Sequence, residues 1–127
     1  MIRAALIVGA ALVAAPAQAE RNPSIYPAAQ CAAFWLGYAD YARASAYLDF
    51  DPTDLGRANA FRAVALRLAT ATPAEIETYV DTQRPLMASL MEAVIYTRSR
   101  SAQTVFERLT TTCKTFGAAH VETRDLM

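Results

Sequence analysis

The chain has 127 residues, with 12 basic and 12 acidic side chains, so its formal charge is zero. This balance gives no electrostatic reason to expect nucleic acid or an anionic membrane surface as a partner. The length is that of a single domain, large enough to enclose a hydrophobic core.

The first residues, 1–19, have the three parts of a secretory signal peptide. Arg3 supplies a positive start, Ala4 to Ala15 form an uninterrupted apolar run, and Ala17 to Ala19 place small residues where a signal peptidase reads them. The run is shorter than the roughly 20 residues that span a bilayer, which favours a cleaved leader over a membrane anchor. We therefore expect a mature chain that begins at Glu20, is periplasmic or secreted, and has no stable membrane anchor.

Two cysteines follow the leader, Cys31 and Cys113. Export permits a disulfide, and an even number of cysteines in a small exported chain favours one over two buried free thiols. The bond would close a loop of about 80 residues and stabilise the fold by at most roughly 4 kcal/mol.

Residues 20–26 are polar and interrupted by proline, which predicts an extended N-terminal arm. Pro27 suits the first turn of a helix, and apolar spacing continues this first predicted helix to Phe50. One side of the helix carries an aromatic cluster, Phe34, Trp35, Tyr38 and Tyr41. The opposite side carries Leu36, Asp40, Arg43 and Tyr47, and the spacing of Asp40 and Arg43 allows an ion pair between them.

The second predicted helix begins at Asp51 and runs to about Ala71, and the third follows a capping box at residues 72–75 and runs to about Arg98. Pro85 lies inside the third helix. Because the apolar stripe keeps its phase across Pro85, we expect one kinked helix, with a break as the alternative.

The fourth predicted helix follows Ser99 and ends near Gly117, which leaves residues 118–127 as a frayed tail. Residues 27–117 are then the folded domain. Short joints favour antiparallel neighbours and predict a small all-α, up-down four-helix bundle. That order brings Cys31 and Cys113 to one end, where a disulfide would close the bundle. The alternative is a three-helix core to which the disulfide straps the fourth helix.

No group of residues predicts catalysis or metal binding. His120 is the only histidine and lies in the predicted tail, away from partners for zinc or for proton transfer. Asp49, Asp51 and Thr53 place oxygen ligands at alternate positions, as a calcium loop does, but Asp54 stands where that loop needs glycine and Ala60 where it needs glutamate. We interpret these aspartates as helix capping. We predict no cofactor, no catalytic residue and no enzymatic activity.

The pattern as a whole predicts a non-catalytic binding or interaction protein of the cell envelope. One alternative is a helical-bundle carrier of an apolar small molecule that uses the aromatic cluster, although that cluster is interpreted first as core. Another is a periplasmic chaperone-like or stress protein. The side of the first helix that carries Leu36 and Tyr47 is the candidate surface for a protein partner or a homodimer.

Overall fold

The computed structural model describes residues 22–127, and every regular element within them is helical. A wide N-terminal turn, Ser24–Ala29, comes first. Four helices follow: α1 Gln30–Ala44, α2 Thr53–Leu68, α3 Pro73–Ile95 and α4 Arg100–Ala118. A short 3-10 turn, Arg124–Leu126, comes last. The predicted all-α fold is confirmed. The predicted signal peptide, residues 1–19, lies outside the described residues.

Helix α3 begins at the predicted capping box. The Thr72 hydroxyl accepts a hydrogen bond from the Glu75 amide at 3.2 Å, and the Glu75 carboxylate accepts one from the Thr72 amide at 3.4 Å. The helix continues without a break through Pro85, which faces solvent. The predicted core stripe of α3 is buried at Ile76, Val80, Met87 and Met91 and partly buried at Gln83, Leu90 and Val94. An outward-facing proline removes one helical hydrogen bond without displacing this stripe, so the helix persists.

Helix α1 is the centre of the bundle and packs chiefly against α3 and then against α2. Most of its buried residues are small: Ala32, Ala33, Gly37, Ala39 and Ala42. A β-carbon on Gly37 would overlap Met87 and would lie 2.7 Å from the Ala88 backbone nitrogen and 2.8 Å from the Arg84 carbonyl oxygen. The backbones of α1 and α3 therefore touch at Gly37, where only glycine fits.

The first helix ends earlier than predicted, at Ala44 instead of Phe50. Ser45 adopts an extended conformation, and its hydroxyl accepts a hydrogen bond from the Tyr47 amide at 3.0 Å. A serine side chain that bonds to the backbone offers an alternative to the helical hydrogen bond, which explains the early end. Residues 45–52 consequently form a loop beside the ends of α1 and α3.

Cys31 and Cys113 form the predicted disulfide, with their Cα atoms 5.6 Å apart. The bond joins the start of α1 to the last turns of α4. Apart from this link, α4 approaches α3, the N-terminal turn and α1 at few positions. Four of its residues are buried: Ala102, Leu109, Cys113 and Gly117. Four helices and one disulfide form the predicted bundle, and α4 joins its core through Leu109 and Cys113 but is its least tightly packed helix.

The end of the N-terminal arm differs from the predicted extended chain, because Ser24 and Ile25 are buried in the turn Ser24–Ala29. The Ser24 hydroxyl donates to the Ala65 carbonyl at 2.8 Å and accepts from the Thr70 amide at 2.9 Å. These bonds satisfy backbone groups where α2 ends, and they hold the arm against the core.

The segment after α4 is folded against the bundle, whereas the sequence predicts a frayed tail. Thr123 is fully buried, and its hydroxyl donates to the Gly117 carbonyl at 2.6 Å. The Met127 side chain covers Gly117, and a β-carbon there would lie 2.7 Å from its sulfur. The segment is polar and weakly patterned, so its order comes from specific hydrogen bonds instead of an apolar stripe.

Candidate functional site

The structure brings three of the four predicted aromatic residues together. The ring of Phe34 lies 5.2 Å from that of Trp35 and 6.3 Å from that of Tyr38, between centroids, and Trp35 and Tyr38 are 5.7 Å apart. Phe34 is buried and belongs to the core, whereas Trp35 and Tyr38 are partly exposed. Tyr41 lies one turn further along α1 and lines a different cleft with Tyr47. The cluster is therefore part core and part cleft wall.

Trp35 and Tyr38 line a cleft of about 460 Å³, called here the Trp35 cleft. Four parts of the chain contribute to it: α1, the loop and first turn of α2, the C-terminal half of α4, and the segment after α4. The lining residues are Trp35, Tyr38, Asp49, Asp51, Asp54, Arg57, Lys114, Leu126 and Met127.

Arg57 fixes one side of the Trp35 cleft. Its guanidinium lies 5.0 Å from the centroid of the Trp35 ring, a cation–π distance. It also donates to the Asp54 carboxylate at 2.7 Å and, through Nε, to the Leu126 carbonyl at 2.9 Å. Because these groups come from three separate parts of the chain, Arg57 ties the segment after α4 to the wall of the cleft.

Three ionisable groups in the Trp35 cleft have shifted pKa values. Burial raises the pKa of Tyr38, and the charge of Asp54 adds to that effect. Burial also raises the pKa of Asp54, against the opposing effect of Arg57. The pKa of Asp51 is lowered, chiefly because its carboxylate accepts a hydrogen bond from the Thr53 hydroxyl and another from the Thr53 amide. Shifted pKa values gathered in one cleft are typical of functional sites.

The Trp35 cleft presents charge of both signs above aromatic rings. Asp54 and Arg57 neutralise each other, whereas Asp49, Asp51 and Lys114 have no ion pair within residues 22–127. Asp51 caps the start of α2, as the sequence predicts, because its carboxylate accepts a hydrogen bond from the Thr53 amide. Asp54 does not cap the helix and instead pairs with Arg57. No group of three or more His, Cys, Asp or Glu side chains that could hold a metal ion is found in this part of the chain.

His120 lies away from the Trp35 cleft. Its ring packs 4.3 Å from the Phe116 ring, between centroids, and its Nδ1 atom is 2.9 Å from the Arg67 guanidinium. Arg67 also pairs with Glu122 at 3.0 Å. The histidine thus helps to hold the segment after α4 to α2.

The predicted partner surface on α1 is not one surface. Leu36 is only 6% exposed and belongs to the core, because α1 has helices on more than one side. Asp40 does not pair with Arg43, which was the predicted pair; it accepts two hydrogen bonds from Arg84 of α3, at 2.6 and 2.7 Å. The Arg43 guanidinium lies 4.3 Å from the centroid of the Phe50 ring. Tyr47, which is 67% exposed, and Arg43 are the two exposed members of the predicted surface.

A second opening, the α3–α4 groove, lies on the other side of α4 and has a volume of about 490 Å³. Its walls are mainly apolar, and two of the apolar residues, Leu86 and Val105, are exposed. The lining residues are Gln30, Leu86, Met87, Leu90, Val105, Arg108, Leu109 and Thr112.

Sequence reasoning found Trp35 and Tyr38 through their aromatic spacing, but it missed most of the other lining residues as a group. Lys114, Leu126 and Met127 carry no local motif. Lys114 reaches the cleft from α4, and Leu126 and Met127 reach it because the segment after α4 folds back. Asp49 and Asp51 were noticed as a capping pattern. An acidic loop that follows an aromatic helix face is the one signal that pointed to this place.

Comparisons of the chain with protein-family models, with curated proteins and with solved structures give no match. None of the helices in residues 22–127 combines the length and the apolar character that crossing a membrane requires.

Proposed function

We propose that this chain is a non-catalytic binding protein that works outside the cytoplasm and takes a small polar molecule in the Trp35 cleft. The observation that carries the proposal is the convergence of two aromatic rings and five charged side chains, from separate parts of the chain, on one cleft. Concave sites with an apolar floor and a few converging polar groups are the usual form of small-molecule sites.

The extracytoplasmic location is supported by the signal-peptide pattern of residues 1–19 and by the Cys31–Cys113 disulfide, a bond that persists in oxidising compartments. Expression of the full chain in a host that exports it tests the location. We expect the recovered protein to begin at Glu20 and to have no free thiol. Recovery of an uncleaved chain in the cytoplasm would contradict the proposal.

The charges in the Trp35 cleft favour a ligand that is a zwitterion with a flat apolar part. Asp49 and Asp51 offer carboxylates to a cationic group, and Lys114 offers an ammonium to an anionic one. The rings of Trp35 and Tyr38 provide the surface on which an apolar or aromatic part would stack. The carboxylates, the ammonium and the guanidinium in this lining suit recognition of a charged ligand, which is why binding is proposed.

Trp35 is the only tryptophan in the chain, so its fluorescence reports directly on the cleft. Titration with phenylalanine, phenethylamine and phenylpropionate compares a zwitterion, a cation and an anion on one aromatic framework. We expect the zwitterion to change the Trp35 emission at the lowest concentration and to be recovered chemically unchanged.

The double variant Asp49→Asn and Asp51→Asn should weaken binding of the two amine-bearing compounds and leave binding of phenylpropionate intact. Asp81→Asn, on the exposed surface of α3, is the matched control and should bind like the unmodified protein. If none of the three compounds alters the Trp35 emission, and if native mass spectrometry of the exported protein shows only the bare chain, the Trp35 cleft is not a ligand site.

The α3–α4 groove favours a second candidate function, carriage of an apolar small molecule. Leu86 is 58% exposed and Val105 43% exposed, and Arg108 lies among the lining residues, so the groove suits an acyl chain with an anionic head. The sequence predicts such a carrier on the aromatic cluster, but the cleft there is lined by charged residues. Leu86→Gln should abolish binding of a fluorescent fatty acid if this groove is the site, and unchanged binding would reject it.

A further inference from the structure

We propose that a third opening, formed where α1 and α3 end, binds an organic ammonium group of the trimethylammonium type. This tyrosine cleft has a volume of about 320 Å³. It is lined by Tyr41, Tyr47, Tyr96 and Glu92, together with the small residues 44–46. It shares no lining residue with the Trp35 cleft. The two sites are therefore tested separately.

The tyrosine cleft exposes two large aromatic rings side by side. Tyr47 is 67% exposed and Tyr96 is 65% exposed, and their ring centroids lie 5.9 Å apart at an angle of 48°. Tyr41, which is half-buried on the last turn of α1, contributes a third ring. The hydrogen bond from the Tyr47 amide to the Ser45 hydroxyl fixes the turn that presents Tyr47. A ligand lying across the exposed faces of both rings would remove apolar surface from water.

The charge of the tyrosine cleft selects a cation. Glu92 is the only charged residue in its lining, and it has no ion pair within residues 22–127. Arg43, the nearest basic residue along α1, lies over the Phe50 ring and does not line the cleft. The faces of aromatic rings carry partial negative charge and attract cations, and rings with a carboxylate beside them are the usual surroundings of bound quaternary ammonium groups.

Choline and its uncharged carbon isostere, dimethylbutanol, have the same shape and differ in charge. Titration of the isotope-labelled protein with each compound, followed by NMR, measures whether the tyrosine cleft recognises that charge. We expect saturable choline shifts at Tyr47, Tyr96 and the end of α1, and about tenfold weaker binding of dimethylbutanol. Equal affinities would show that the site does not recognise the positive charge and would overturn the proposal, as would the absence of shifts from either compound.

Two variants locate the binding. Tyr96→Leu and Glu92→Gln should each weaken choline binding roughly fivefold to tenfold, because each removes one source of negative potential. Tyr26→Leu is the matched control, since Tyr26 is also an exposed tyrosine, 42% exposed, but contacts Tyr79 at the N-terminal turn. Circular dichroism checks that all three variants stay folded. Choline affinity that falls equally in Tyr26→Leu, or that survives in both site variants, would overturn the assignment.

A trimethylammonium group is carried both by free solutes such as choline and by the head group of phosphatidylcholine. Flotation with phosphatidylcholine vesicles, alone and with excess choline, separates these sources. Choline-sensitive flotation identifies the lipid head group, and NMR binding without flotation identifies a free solute. Either result supports recognition of the ammonium group, and failure of both tests rejects it. Trp35 lies outside the tyrosine cleft, so a change in its emission during these titrations would report binding in the Trp35 cleft instead.

Discussion

The two sides of α1 show two different ways of packing a helix. Toward α3, small residues allow the backbones to meet at Gly37, and the Asp40–Arg84 pair closes the contact. Toward α4, large rings such as Phe34 and Phe106 meet at 5.8 Å between centroids, and a disulfide supplies much of the connection. The closed side provides a rigid support, and the open side leaves space on both flanks of α4. Binding sites need such rigid support beneath them.

The largest effect should come from removal of the disulfide. In the double variant Cys31→Ala and Cys113→Ala, the unfolded chain regains the freedom of a loop with a sequence separation of 82, which costs up to about 4 kcal/mol of stability. Urea denaturation measures the loss. Hydrogen exchange should show that amides of α4 lose protection before those of α1 and α3, because α4 has few other contacts.

The unmodified protein under reducing conditions is the control for that double variant, since it lacks the bond but keeps both side chains. Its protection pattern should match the variant. A uniform loss of protection over all four helices would mean that α4 is as much a part of the core as α3. That result would contradict the proposed difference between the α3 side and the α4 side of α1.

The next effect tests the closed side. Gly37→Ala puts a β-carbon against Met87 and the α3 backbone. This overlap can be relieved only if α1 and α3 move apart. We expect a loss of about 2 to 3 kcal/mol, the cost of overpacking a well-filled core, measured by urea denaturation. Gly56→Ala on α2 is the control, because a β-carbon there meets nothing within 4 Å. It should stabilise the protein by about 0.5 to 1 kcal/mol.

A smaller effect tests the segment that closes the Trp35 cleft. Thr123→Val keeps the side-chain volume but removes the short hydrogen bond to the Gly117 carbonyl, which then keeps only the longer bond from the His120 amide at 3.3 Å. We expect a loss of about 1 to 2 kcal/mol by denaturation and a change in Trp35 emission as residues 124–127 loosen. Thr104→Val, which removes an exposed bond within α4 to the Arg100 carbonyl, should change neither. Identical effects of the two variants would show that the segment is not held by Thr123.

The same contrast explains which features the sequence predicts. The capping box at Thr72, the continuity of α3 through Pro85 and the pairing of Cys31 with Cys113 follow from local chemistry or from simple topology, and all three are confirmed. The prediction that Leu36 lies on an exposed side of α1 is wrong, because the helical period of a sequence does not tell how many other helices pack around that helix. The Trp35 cleft depends on the loop that starts at Ser45 and on the segment after α4, which is held by individual hydrogen bonds and one ion pair. Neither feature produces a periodic pattern in the sequence.

The smallest effect is on the pH dependence of the unfolding free energy. Asp40 on the α3 side of α1 and Asp54 in the Trp35 cleft should contribute to it with opposite signs. Hydrogen bonds from Arg84 hold the pKa of Asp40 below its ordinary value, whereas burial raises the pKa of Asp54. Asp40 therefore stabilises the fold above the pKa of the unfolded chain, about 3.9, and this contribution disappears as the pH falls through its lowered pKa. The contribution of Asp54 is present below about pH 3.9 and is lost as the pH rises through its raised pKa.

Unfolding free energies from pH 3 to pH 7 should therefore fall less steeply toward acid in Asp40→Asn and more steeply in Asp54→Asn than in the unmodified protein. Slopes that change in the same direction in both variants would show that the Trp35 cleft does not impose the burial that raises the pKa of Asp54.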